Sequence, residues 1–163
     1  MSTPRSLLLL GATLTTGLSA GVIALYAHTI MPGLRTTSDR TFVAAFQAID
    51  RAIINPWFMG TFFGALVLTA AAAATNRGRP AFAWLIAALA LYVAVVVITM
   101  AVNVPLNDAV KTAGNPAKID VAKVREDFHE ARWVAWNLVR VAASLAAFAS
   151  LAWTLVLDGR PDA

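Results

Sequence analysis

The chain has 163 residues, of which 59% are hydrophobic and 13% charged, against about 45–50% apolar and about 25% charged in soluble domains; with a mean hydropathy of +0.68, it reads as a membrane protein whose first partner is the lipid bilayer. Its net charge of +4 is scattered over loop arginines and lysines without a dense basic run, which argues against a nucleic-acid partner. The absence of cysteine removes thiolate catalysis, disulfides and thiolate metal sites together.

Four apolar runs reach the roughly 20 residues that a bilayer crossing needs: 6–30, 56–75, 81–104 and 133–157. So few residues lie outside them that the sequence predicts one all-α domain over 1–163, an integral membrane four-helix bundle. The first run, behind MSTPRSLLLL, begins as a secretory signal does. However, LSA before Gly21 is a poor cleavage site and GVIALYA completes a full span, so helix 1 is expected to be retained. GLSAG (17–21) and GTFFG (60–64) allow close backbone approach, expected inside the bundle rather than on the face of a homo-oligomer. An even number of spans places both termini and NRGRP (76–80) on one side, and the connections 31–55 and 105–132 on the other, the loop side. Arg5, Arg77, Arg79 and Arg160 crowd short segments while the loop-side charges are spread out. Charge density therefore predicts cytoplasmic termini in a cell inner membrane.

Neither loop-side connection reads as a plain linker. In the first, Ser38 can cap a helix in which Phe42, Phe46, Ile49 and Ile53 recur at helical spacing among Arg40, Gln47 and Arg51, predicting an interfacial or membrane-capping helix near 38–52. In the second, Pro116 stands at a first helical position after Asn115, and Val121, Val124, Phe128 and Ala131 continue one face into the fourth span. A helix running unbroken from Pro116 to Leu157 would be about 60 Å long, roughly twice the hydrocarbon thickness. Its first third is expected to project beyond the bilayer or to kink near Trp133.

The polar residues of the spans gather on the loop side: His28, Asn55, Asn103, and then Trp133, Trp136, Asn137 and Arg140. Convergence of this kind predicts a cavity opening that way. Arg140 lies about 10 Å inside the fourth span, where a lipid-facing position costs roughly 2.5–3.5 kcal/mol, so it should face the bundle. Trp133, Asn137 and Arg140 share a face, Trp136 borders it, and Thr99, Asn103 and Asn107 form a stripe on the third span with Pro105 loosening the ladder between them. Arg140 is expected to meet that stripe, chiefly at Asn103. Snorkelling, interhelical glue and an interfacial tryptophan belt explain any one of these residues; their coincidence favours a site. His28 with Asp127, His129 and Glu130 offers donors for a metal triad. His129 and Glu130, being adjacent, diverge by about 100° on a helix, and no metal is expected. No phosphate loop, nucleophile elbow or dinucleotide fingerprint is present.

Four segments in combination are distinctive: IMPGL after the first span, QAIDRAIINPWF before the second, VNVPLN closing the third and WVAWNLVR opening the fourth. With them the chain resembles, over nearly its whole length, the anthrone oxygenase-like membrane family, also described as the domain of unknown function 1772. The resemblance implies oxidation of anthrones to anthraquinones with dioxygen as co-substrate and no flavin, haem or metal. Two positions depart from the pattern: bacterial members often read W-N-H-V-R, where this chain has Leu138, and Q-A-I-N, where it has Asp50.

The residues themselves support such chemistry. Arg140 in a low-dielectric cavity can stabilise an enolate and then a peroxide, with Asn103 and Asn137 orienting it. His28 is the first candidate for the general base and Asp50 the second. Trp133, Trp136 and Trp57 would stack on a small apolar aromatic or lipid-like molecule, with Asn107 and Asn55 beside them. A non-catalytic lipid or small-molecule binder and a structural membrane subunit are the alternative readings.

Overall fold

Two prolines set the shape of the long helices. In the computed structural model, which describes residues 3–159, α1 (Thr3–Leu25) runs through a π-helical turn (Tyr26–Ile30) into α2 (Met31–Arg35), followed by α3 (Asp39–Ile53) and α4 (Pro56–Thr75). The second half repeats this order: α5 (Phe82–Ile98), a second π turn (Thr99–Asn103), α6 (Val104–Lys111), α7 (Val121–Asp127) and α8 (Glu130–Asp158). Pro32 and Pro105 lack an N–H, and in a regular helix their rings would strike the carbonyls of His28 and Ala101. Each helix takes up one extra residue instead. The N–H of Met31 reaches the Tyr26 carbonyl and that of Val104 the Thr99 carbonyl, five residues back, and such turns are rare and concentrate at functional positions.

Among the described residues there is no strand, and four helices are long and apolar enough to cross a bilayer: Pro4–Arg35, Pro56–Thr75, Phe82–Lys111 and Glu130–Asp158. The protein is an integral membrane helical bundle. Arg160, one of the charges bearing on orientation, lies outside the described residues. α1 packs on α4 and α8, and α5 on α8, whereas α4 and α5 meet less closely. Leu9, Ala12, Ala65, Leu85, Ala88 and Leu151 form the core of the terminus-side half, crossed by Tyr92, whose hydroxyl lies 2.8 Å from Ser19 Oγ and 3.0 Å from the Phe62 carbonyl, within hydrogen-bond distance of both. Of the two glycine pairs, only Gly17 is a close approach: a Cβ there would lie 2.8 Å from the Phe148 ring, while Gly21 and Gly60 face open space.

On the loop side α2, α3, α6 and α7 fold over the bundle as a cap with its own core, in which Phe42, Phe46, Val110, Phe128 and Trp133 are buried together. α3 is thus a capping helix, started by Ser38, whose hydroxyl accepts from the Thr41 N–H at 3.3 Å. Gln47 Nε2 donates to the carbonyls of Val110 and Gly114, tying α3 to the end of α6. Arg125 lies 4.3 Å over the Phe42 ring and pairs with Asp39 at 2.9 Å and Glu130 at 3.7 Å, clamping α7 to α3 and α8.

The fourth span is not one helix from Pro116. Asp120 caps α7 at Val121, and the chain breaks at His129, which adopts a left-handed conformation at φ 50°. A straight helix would carry α7 into water, whereas the break lays it on α3 and lets both Phe128 and Trp133 enter the cap core. α8, with 29 residues, is still about 44 Å long and exceeds the hydrocarbon thickness.

Candidate functional site

Beneath the cap the two π turns, α3, the start of α4 and the loop-side end of α8 enclose a cavity of about 280 Å³. Its wall is chiefly aromatic and aliphatic, with Tyr26, Phe58, Phe62 and Trp133 among the lining residues, and its polar groups are Asp50, Thr99, Asn107, Asp108, Lys111 and Arg140.

Arg140 sits seven residues past Trp133 on the inner face of α8 and is only 8% exposed. Its Nη1 donates to Thr99 Oγ1 at 3.0 Å and its Nη2 to Asn137 Oδ1 at 2.6 Å. Thr99 Oγ1 itself donates to the Val95 carbonyl at 2.7 Å, which leaves its lone pairs for the guanidinium, and Asn137 Nδ2 is anchored on the Ile23 carbonyl at 3.3 Å. Nε is buried without a partner among the described residues, and none of the hydrogen-bond acceptors is a carboxylate. The guanidinium carbon lies 5.7 Å from the centroid of the Trp133 ring, within cation–π range.

From Trp133 a polar chain continues toward the loop side. The indole N–H donates to Asn107 Oδ1 at 2.6 Å, and Asn107 Nδ2 donates to Asp50 Oδ1 at 2.7 Å. Lys111 Nζ stands 3.4 Å from Asp50 Oδ2, an ion-pair separation without hydrogen-bond geometry, and also pairs with Asp108. One oxygen of Asp50 is therefore fixed by the amide, and the other is buried facing the Lys111 ammonium.

Of the residues singled out in the sequence, Arg140, Asp50, Trp133 and Asn107 line the cavity, and Asn137 stands behind Arg140. Asn103 does not meet Arg140 as expected. Its Nδ2 donates to the Trp133 carbonyl at 3.4 Å, its Oδ1 is buried without a partner among the described residues, and Thr99 takes the arginine. Asn103 lies a turn nearer the loop side than Thr99, at the level of the Trp133 carbonyl, so Thr99 is the one opposite Arg140. His28 is exposed and outside the cavity, with Nδ1 2.6 Å from Thr29 Oγ1, because it lies two residues beyond Tyr26 and so on the other side of the helix. Asn55 spends its amide on the turn into α4, accepting from the Phe58 N–H at 3.0 Å and donating to the Ala52 carbonyl at 2.8 Å. Trp57 and Trp136 point outward, 86% and 38% exposed, as an interfacial belt does. Asp127 and Glu130, raised as metal ligands, are held in ion pairs with Lys123 and Arg35.

Tyr26 belongs to the site and is not among the sequence candidates, and Thr99, a member of the expected stripe, takes the contact expected of Asn103. Tyr26 tilts against Trp133 with ring centroids 5.8 Å apart. A signal existed: each stands six residues before a proline, Pro32 or Pro105, and so opens a π turn.

A family model described as anthrone oxygenase matches residues 53–150, from the end of α3 through the inner face of α8 that bears Arg140. No curated protein and no solved structure matches the chain.

Proposed function

The chain belongs to the anthrone oxygenase family, and from that premise we propose that it oxidises a flat, electron-rich, anthrone-like aromatic with dioxygen, without a bound cofactor, in the cavity beside Arg140. One observation carries this reading: a buried guanidinium that has only a hydroxyl and an amide as acceptors, with Nε unpartnered, on the wall of an aromatic cavity. A buried cation without a counter-charge is unfavourable, and an anion that develops during reaction would complete it where it contributes most to rate.

In this mechanism Asp50, through the oxygen that Asn107 does not hold, takes a proton from the methylene para to the substrate's carbonyl. The enolate oxygen faces Arg140, whose charge and N–H groups stabilise it. The methylene carbon gives its electrons to dioxygen and bonds to it, the proton held by Asp50 passes to the peroxide, and loss of water leaves a second carbonyl. In balance, one CH2 and one O2 become one C=O and one H2O. Tyr26, Phe58 and Trp133 bound the ring system. The cavity lies just below the usual range of about 300–1,000 Å³ for ligand pockets, which suits a small rigid substrate.

The test is oxidation of anthrone in air by the purified protein, with anthraquinone formation and oxygen uptake followed together in the presence of a chelator. Heat-inactivated protein sets the autoxidation background. Equal rates with and without native protein would defeat the enzymatic reading and leave a binding protein.

A further inference from the structure

The cavity has two rims of opposite character. At the loop-side rim Lys111 is paired with both Asp50 and Asp108, so a cluster of ion pairs closes the end nearest water. The other rim is on the side of α4 and the second π turn, both of which line the cavity, and there α4 and α5 meet less closely than the neighbouring spans do. There Ile54, Phe63 and Met100 line the cavity and are also exposed on the outer surface, at 59%, 43% and 54%. That outer surface is apolar, with Trp57 and Val97 exposed beside it. Trp57 has the place of an interface anchor, and Phe63, six residues further along α4, lies about 9 Å deeper, among acyl chains.

We infer that the site is loaded from the bilayer: an uncharged aromatic dissolved in lipid passes between Phe63 and Met100, and the product leaves the same way. The inference rests on the proposed oxygenase reading only for the identity of the aromatic. Opening on lipid gives the site its selectivity, since a molecule with a fixed charge would have to shed its hydration to cross the Phe63–Met100 mouth, while an apolar one reaches Arg140 without leaving a low-dielectric medium. It also explains how a substrate that ionises only at Arg140 can arrive neutral.

Photolabelling tests this without turnover. The protein in phosphatidylcholine vesicles is irradiated with a small apolar aromatic diazirine dissolved in the bilayer, and adducts are mapped by mass spectrometry. Adducts are expected on buried Phe62 inside the cavity as well as on outward-facing Leu18, and excess 9,10-anthraquinone should remove the first and spare the second. Narrowing the mouth with Met100→Trp or Phe63→Trp should abolish the Phe62 adduct and leave Leu18 labelled, which also reports an intact fold. Asp108→Asn, which loosens the water-side rim, should leave the Phe62 adduct unchanged. Absence of a Phe62 adduct in the native protein, its persistence in both mouth variants, or its dependence on Asp108 would overturn the bilayer route. Loss of anthrone turnover with this labelling pattern intact would fault the chemistry alone.

Discussion

The indole N–H of Trp133 lies 2.6 Å from the side-chain oxygen of Asn107, and the amide nitrogen of the same asparagine lies 2.7 Å from Asp50. Asn107 thus joins the fourth span to the cap helix that carries the carboxylate. VNVPLN is there for Trp133 at both ends: Asn103 holds its backbone carbonyl and Asn107 its indole, with Pro105 and the π turn setting the rotation between the two amides.

Asn107→Leu should leave a buried indole N–H and one oxygen of Asp50 unpaired, lowering stability by about 1–3 kcal/mol. A thermal melt in detergent reads this. Pairing it with Trp133→Phe in a double-mutant cycle should recover part of the loss, because the phenyl ring has no donor to leave stranded. Additive losses would mean that the two side chains act independently.

Asp50 and His28 separate cleanly. Asp50→Asn should lower anthrone turnover steeply, since a neutral amide cannot take the methylene proton. His28→Gln, at an exposed position outside the cavity, should leave the rate unchanged. A collapse of turnover in the His28 variant alone would return the base to the histidine.

The contrast shows what the sequence could and could not display. Span positions follow from uninterrupted apolar runs, and the inward aim of Arg140 follows from the cost of the alternative, so both were legible. His28 follows from its imidazole and its depth in the first span, neither of which fixes the face it takes, and a stripe at four-residue spacing does not say whether Thr99 or Asn103 stands level with Arg140. A regular period carries the fourth helix through Phe128, because an apolar stripe reads alike whether one helix is straight or two share a core.

At His129 the left-handed backbone is held without a glycine. His129→Gly should raise stability by about 1 kcal/mol by relieving the Cβ clash, and His129→Val should lower it by at least as much. Comparison of the two melting temperatures decides whether the break is imposed by the cap core or by the residue.

Pro105→Ala offers the helix a regular ladder through the second π turn. The protein should melt no lower, since an N–H is restored and the ring clash removed. Turnover should drop as Thr99 rotates away from Arg140. Retained turnover would show that the π turn is not needed to place the hydroxyl.

Arg140→Met removes the charge while keeping an unbranched side chain, so anthrone turnover in this variant reads the contribution of the buried guanidinium. With the fold verified by an unaltered circular dichroism spectrum, quinone formation and oxygen uptake above the heat-inactivated background should fall by about 10²-fold or more, as loss of an oxyanion donor commonly gives. Native and Arg140→Met proteins turning over anthrone at the same rate would rule out a catalytic role for Arg140.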